Sequence, residues 1–222
     1  MPAPTNGYCT VAQLKDRLFI AASDTSHDQV LTDRINAASR AIDTICQRHF
    51  YQINETRYFT AVETRYPMAL ETRYFSALEQ WEIMIDDLSS LSSLATDNDG
   101  SRQWATVWAG DGVSTITDFE LEPKSKKIGG VPYPYRFLRI APRGTKRFPS
   151  YPNGIKISGV WGWDAIPDPV VDACLLLASR LFRRAESPLG MVGVAEFPAQ
   201  RIPQADPDVM QLLAPYIEPT LG

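Results

Sequence analysis

The chain has 222 residues, 44% hydrophobic and 22% charged, with 22 Lys and Arg against 26 Asp and Glu for a formal net charge of -4. Those proportions suit one good-sized domain, or one domain with a large insertion, and exclude global disorder. They also exclude a polycation that coats DNA, while leaving room for a local basic patch. Residues 1–9, broken by Pro2, Pro4 and Gly7, read as a loose arm. Thr10 is placed to cap a short helix over residues 11–18, with Val11, Leu14 and Leu18 on one face. Asp24, Thr25 and Ser26 offer a second cap. The helix after it, over about 28–48, aligns Leu31, Ile35, Ala38, Ile42 and Ile45, and Ala37 and Ala41 are small enough to admit a neighbouring helix.

From Phe50 to about Val160 the chain turns to Thr, Tyr, Trp, Gly and Pro, the composition of short strands and turns. Candidate strands are residues 82–85, 91–96, 103–108, 137–140 and 155–160. Asp97-Asn98-Asp99-Gly100 is hairpin-turn chemistry; it lacks the closing Glu of a calcium loop. Glu-Thr-Arg-Tyr occurs three times, from Glu55, Glu63 and Glu71. Eight is an even period, so a strand keeps each repeated side chain on one face. The copies either lengthen a hairpin or build a ligand surface from Arg57, Arg65, Arg73 and Tyr58, Tyr66, Tyr74.

Helical periodicity returns after Pro167. Asp168 and Pro169 open a helix to about 186, and Arg180, Arg183 and Arg184 close it in keeping with the helix dipole. Two apolar stripes run along it: Val170, Cys174, Leu177, Leu181 and Val171, Leu175, Ala178, Phe182. So wide an apolar surface suits burial in its own domain and against something else. A Gly- and Pro-containing loop, residues 189–203, leads to a short helix over 207–216, with Val209, Leu212, Leu213 and Tyr216 as its apolar face.

Little in this pattern suggests catalysis. Adjacent Asp86 and Asp87 on a strand point to opposite faces, which argues against a cooperating dyad. His27 and His49 lie far apart. Cys9, Cys46 and Cys174 form no CxxC or Cys/His cluster, which fits a reducing compartment without a disulfide framework or structural zinc. Cys174 reads as a small core residue. There is no P-loop or GxGxxG, and no cofactor is expected. No membrane contact is expected either. The longest strongly apolar stretch, residues 173–179, falls far short of the ~20 residues a bilayer needs. MPAPTNGYCT has neither part of a signal peptide, so the protein is expected to act where it is made.

One asymmetry stands out. Between Pro123 and Phe148 lie Lys124, Lys126, Lys127, Arg136, Arg139, Arg143, Lys146 and Arg147, interleaved with Tyr133, Tyr135 and Phe137 and with no acidic residue. This is either a set of solvated loop tips or a contact surface for nucleic-acid backbone or an acidic partner.

Several patches together resemble the head–tail connector (adaptor) proteins of tailed phages. They begin with Val11-Ala12-Gln13-Leu14-Lys15, then Ala38-Ser39-Arg40-Ala41-Ile42-Asp43 and Cys46-Gln47-Arg48-His49-Phe50. Ile85-Asp86-Asp87-Leu88 and Leu94-Ala95-Thr96-Asp97 follow. The resemblance is strongest at Gly159-Val160-Trp161-Gly162-Trp163, Ile166-Pro167 and 178–184. It closes with Ser187-Pro188-Leu189-Gly190, Asp206-Pro207-Asp208-Val209 and Leu213-Ala214-Pro215-Tyr216. Their order and spacing carry the likeness; the tandem Glu-Thr-Arg-Tyr copies depart from it, where a single such strand is expected.

The resemblance implies an α+β protein: a helical domain built from both chain ends, residues 1–50 plus 161–222, with a large antiparallel β insertion at 51–160. It implies a structural virion protein at the neck, made in the host cytoplasm, and no enzyme. Its expected partners are the portal protein, copies of itself in a ring of typically twelve, and the next neck or tail protein. Val209, Leu212, Leu213 and Tyr216 are then candidates for docking on the portal or a neighbouring subunit. Lys124, Lys126, Lys127, Arg143, Lys146 and Arg147 are candidates for non-specific contact with genomic DNA or for a partner. The alternative is a β-rich module that binds carbohydrate or protein through Trp104, Trp108, Trp161 and Trp163.

Overall fold

The structure, a computed structural model, describes residues 4–61, 81–109, 118–128, 130–142, 144–149, 152–186 and 207–218. The fold is α+β, with four helices and a large antiparallel sheet among the described residues. Two compact units divide the chain: residues 1–51, 128–131 and 165–222, and residues 52–127 and 132–164. The second and third Glu-Thr-Arg-Tyr copies, Arg143 and the 189–203 loop lie outside the described residues.

In the helical unit, α1 (Val11–Leu18) begins as its sequence predicts. The Thr10 hydroxyl accepts from the Gln13 N–H at 3.2 Å, and the Gln13 side chain accepts from the Thr10 N–H at 2.8 Å, a reciprocal capping box. The next helix, α2 (Asp28–Cys46), differs at its start. Its first residue is preceded by His27, which makes no capping bond, while Asp24 accepts from the Ser26 N–H and hydroxyl and so folds the turn before the helix. Leu31, Ile35, Ala38 and Ile42 are buried as the periodicity requires, but the stripe ends on Cys46, with Ile45 only half-buried. Ala37 and Ala41 are exposed; the small residues on the packed face are Ala38 and Ser39.

Packed against α2 is α3 (Asp168–Glu186). Val170, Ala173, Cys174 and Ala178 are fully buried, whereas Leu177 and Leu181 stay half-buried. The small side chains thus carry the close helix contact, and Ser39 Oγ sits 3.5 Å from Cys174 Sγ there. The N-terminal segment is no loose arm from Pro4 onward. Tyr8 and Cys9 are buried; the Tyr8 N–H donates to Ser39 Oγ at 3.0 Å and the Tyr8 hydroxyl donates to Asp43. That hydroxyl also accepts from the Phe50 N–H at 2.9 Å, so one tyrosine ties the segment to both ends of the α2 exit. Burial raises the Tyr8 phenol well above its ordinary pKa, with the Asp43 bond adding to it. Burial likewise pushes the Cys46 thiol up to about 12. Lys15 and Asp28 form a buried ion pair at 2.5 Å, and the Lys15 ammonium also donates to the Asp24 carbonyl at 2.6 Å. Last comes α4 (Pro207–Leu213), continued by a 3₁₀ turn, Ala214–Tyr216, and it packs on α3. The Glu218 N–H donates to the Cys46 carbonyl at 3.0 Å, capping α2 from the chain's other end.

The β unit is built on a six-stranded antiparallel sheet. Its strands are β1 (Ile53–Phe59), β2 (Glu82–Thr96), β3 (Thr106–Val107), β4 (Phe119–Glu122), β7 (Tyr135–Ile140) and β8 (Ile155–Trp161). Their order is β1-β8-β2-β7-β4, with β3 also on β2. A separate two-stranded ribbon joins β5 (Lys127–Ile128) to β6 (Val131–Pro132). The two strands predicted at 82–85 and 91–96 are one strand, broken in register by bulges and therefore able to bend while pairing with β7 and then β8. The strand predicted at 103–108 shrinks to β3, because the Asp97–Gly100 turn continues to Ala105 before pairing resumes.

β8 lies between β1 and the central strand β2, and along it Ile155, Ile157, Gly159 and Trp161 alternate inward. At Gly159 a Cβ would fall on the Ser90 carbonyl oxygen, so the bulge in β2 requires glycine opposite it. Ile83, Ile85, Leu88, Leu94, Trp108, Phe119, Leu138 and Ile140 complete this core.

Candidate functional site

The tryptophans proposed as a ligand surface are mostly interior. Trp108, Trp161 and Trp163 are at most 3% exposed, and each indole N–H is spent on a protein acceptor: Thr96 Oγ1, the Glu55 carbonyl and Asp87 respectively. They hold the sheet together and cannot present a sugar-stacking face. Trp104 remains partly open beside Tyr58, with ring centroids 4.9 Å apart. Asp86 and Asp87 separate as predicted. The first is exposed and meets Arg57 at 2.8 Å; the second is buried, accepts from Trp163 Nε1 at 3.2 Å and pairs with Arg136 at 3.5 Å. No group of His, Cys, Asp and Glu that could hold a metal ion occurs among the described residues.

Much of the basic segment is matched by carboxylates from distant strands. Arg139 meets Glu82 across the β2–β7 ladder at 2.5 Å, which raises its pKa further. Lys124 meets Glu120 at 3.5 Å, and Lys146 meets Asp118 at 3.0 Å. Burial pushes the Asp118 carboxyl up, but the Ala109 N–H and Lys146 outweigh it and hold the group below its ordinary value. Arg147 lies over the Trp81 ring at 4.7 Å and donates to the Lys146 carbonyl. These residues are thus held by the fold, and the strand predicted at 137–140 is present as β7, two residues longer at its start.

Lys126 and Lys127 differ. Both are exposed and neither meets a carboxylate among the described residues. The Lys126 ammonium stands 4.1 Å over the Tyr133 ring, and the Tyr133 N–H donates to the Lys126 carbonyl at 2.8 Å. Tyr133 in turn packs edge-on against Trp163 at 5.2 Å. A chain of contacts therefore runs from the buried Asp87 through Trp163 and Tyr133 to an exposed lysine. Beside it lies a hollow of about 200 Å³, lined by Lys124, Lys126, Tyr133 and Tyr135 together with Ser89 and Asp164. Ser89 donates to Asp164 there. These two residues were not visible from the sequence as part of the site, because both lie far from the basic segment along the chain. Two or three lysines beside aromatic faces favour an anionic contact made without base readout.

The four C-terminal candidates are placed less openly. Val209, Leu213 and Tyr216 are at most 2% exposed, and Leu212 is half-buried. They fill the core of the helical unit, with Tyr216 edge-on to Phe50 at 5.8 Å. In this arrangement the docking face expected of them is turned inward, because a short helix gains its stability only by burying its apolar side. Met210 is the large apolar residue that α4 leaves exposed.

Compared with solved structures, the fold has clear counterparts. A chain in the neck of an empty gene transfer agent (GTA) particle, computed with C6 symmetry, matches at 16% identity and TM-score 0.53, covering 97% of this chain and 92% of that one. A chain in the virion of a native GTA particle matches with the same figures. A chain in the neck of the native particle, computed with C12 symmetry, matches at 15% identity and TM-score 0.51, covering 93% and 86%. No protein-family model and no curated protein sequence matches the chain. The chain shares the fold of these neck structures along nearly its whole length.

Proposed function

We propose that the protein is a structural head–tail adaptor in the neck of a tailed-phage-like particle, assembled as a ring that continues the DNA channel. The observation that carries this reading is the fold shared with GTA neck chains over 97% of the sequence. The connector-like patches at both chain ends point the same way. Copies of the chain, the portal protein and the next neck or tail protein are its partners, and its role is not enzymatic. Lys126 and Lys127, with Lys124 in the lining of the same hollow, supply weak phosphate contact. Such contact suits a channel through which DNA must slide, because it grips no particular sequence.

Particles produced without this chain should accumulate filled heads and tails that do not join, and adding the purified chain back should join them. Normal joining in its absence would overturn the reading. The DNA contact has its own test. The double variant Lys126→Ala, Lys127→Ala should reduce the salt dependence of DNA binding by roughly two in log–log slope, about one for each phosphate no longer neutralised, and equally for every sequence. An unchanged slope removes these lysines from the channel wall.

A further inference from the structure

One residue in the helical unit is doubly unfavourable for an isolated chain. Phe19 stands just past the end of α1, where the Phe19 and Ile20 N–H groups bond back to the Asp16 and Lys15 carbonyls. That turn needs a left-handed backbone, and Phe19 adopts it at φ 59°. Glycine is the usual occupant, since any Cβ is strained there. Phe19 is also 93% exposed, by far the most open large apolar side chain among the described residues. Beside it opens a hollow of about 400 Å³, whose lining includes Ile20, Phe182 and Arg183. On the other side of Arg183 a second hollow brings Arg17 of α1 next to Leu176 of α3. The corner is therefore an aromatic knob with Arg17 and Arg183 on its α3 side and Asp24 across the first hollow.

The opposite charge stands at the far end of α3. Asp168, Asp172, Leu176 and Arg183 share one face of that helix by their spacing, with the acids at its start and the arginine in its last turn. Asp168 and Asp172 are exposed and form no ion pair among the described residues. Asp168 and Arg183 are separated by ~22 Å at 1.5 Å per residue, beyond the Debye length of ~8 Å in physiological salt. Within one copy they cannot neutralise each other.

We infer that this face is the contact between copies of the chain, with Phe19 and the Arg17–Arg183 rim of one copy seated against the Asp168–Asp172 end of α3 in the next. The inference rests on the ring reading above and gives it a surface. Two different patches of one subunit meet, and with α3 of successive copies staggered end to end the contact is head-to-tail and propagates; an antiparallel pairing of the same face would instead close as a dimer. Burying Phe19 supplies the apolar centre, and the matched charges set which end meets which.

The test uses the full chain with the photoreactive analogue p-benzoylphenylalanine in place of Phe19. Irradiation of the purified protein should give a ladder that continues past the dimer, with cross-links mapping to residues 168–176 of another copy. Asp172→Arg and Arg183→Glu should each reduce the ladder at least tenfold, and the two together should restore it. Circular dichroism of each variant separates a broken interface from an unfolded chain, and restoration by the double variant cannot come from unfolding. No ladder, a ladder that stops at the dimer, or cross-links that map elsewhere or to a different protein overturns the contact. If the ladder fails while heads and tails still join, the surface is wrong and the neck reading stands. If joining never depended on the chain, the neck reading fails whatever the ladder shows.

Discussion

The two units treat charge in opposite ways. In the β unit, cations are matched across the sheet or its edges: Arg139 by Glu82, Arg57 by Glu55 and Asp86, Lys146 by Asp118, and Arg136 by the buried Asp87. In the helical unit the Lys15–Asp28 pair is buried, yet Arg17, Arg183, Asp168 and Asp172 stand exposed on α1 and α3. A sheet brings distant residues side by side and can pair their charges internally. A helix pairs charges only three or four residues apart, as Arg40 and Asp43 do at 2.9 Å, and leaves those at its two ends unmatched. The contrast teaches that the β unit's matched charges serve its own stability, Lys126 and Lys127 excepted, while the signed ends of α3 are free for the contact inferred above.

The largest expected effect lies in the β core. Trp161→Ala removes a fully buried ring that donates to the Glu55 carbonyl at 3.0 Å and lies under Arg57. Urea unfolding should show a loss of about 3–5 kcal/mol. Next is Asp87→Asn, which keeps the shape but removes the charge facing Arg136 and weakens the bond from Trp163. A loss of about 2–3 kcal/mol is expected. A cost near zero would mean that the β unit's charges do not hold it together.

Acidification should divide the units. Asp118 is held below its ordinary 3.8, so the stability it gives is complete above that value and is lost as pH falls through its lower folded pKa. Asp43 is raised above 3.8, chiefly by burial. Its ionisation therefore opposes folding, and its site gains stability as pH falls from the raised value to 3.8. Between pH 5 and 3, hydrogen-exchange protection corrected for intrinsic rate should fall at the Ala109 amide, which donates to Asp118, and should hold or rise at Phe50, which donates to Tyr8. Parallel loss at both amides would contradict the contrast.

The smallest effects on stability should be the most telling for assembly. Arg183→Glu should shift the unfolding free energy of the free chain by no more than ~0.5 kcal/mol, as surface changes do. Phe19→Gly should raise it by about 0.5–1 kcal/mol by relieving the left-handed strain. Both should nevertheless weaken self-association, measured by sedimentation. A variant made more stable and less able to assemble marks Phe19 as retained for contact.

Helices were legible because their information is local. Thr10 with Gln13 starts α1, the 3.6 period carries α2, and Asp168 with Pro169 opens α3. Sheet pairing was not, since Ile53 meets Trp161 and Glu82 meets Arg139 only through the fold. For that reason the basic segment looked unmatched in sequence, whereas Lys124, Arg136, Arg139 and Lys146 each meet a carboxylate. Composition could not tell interior tryptophans from surface ones, nor that Val209, Leu213 and Tyr216 face their own unit's core. The signal at Phe19 was present in the sequence as an aromatic residue where a helix end favours glycine. Its weight became clear only with the backbone angle and the exposure.

The measurement that tests the central claim most directly is a reconstruction of the particle's neck containing this chain. The account predicts a closed ring of copies between head and tail, with Lys126 and Lys127 toward the DNA or the adjoining protein. A neck from which the chain is absent, or in which it appears as an isolated copy with both lysines facing bulk solvent, would contradict it.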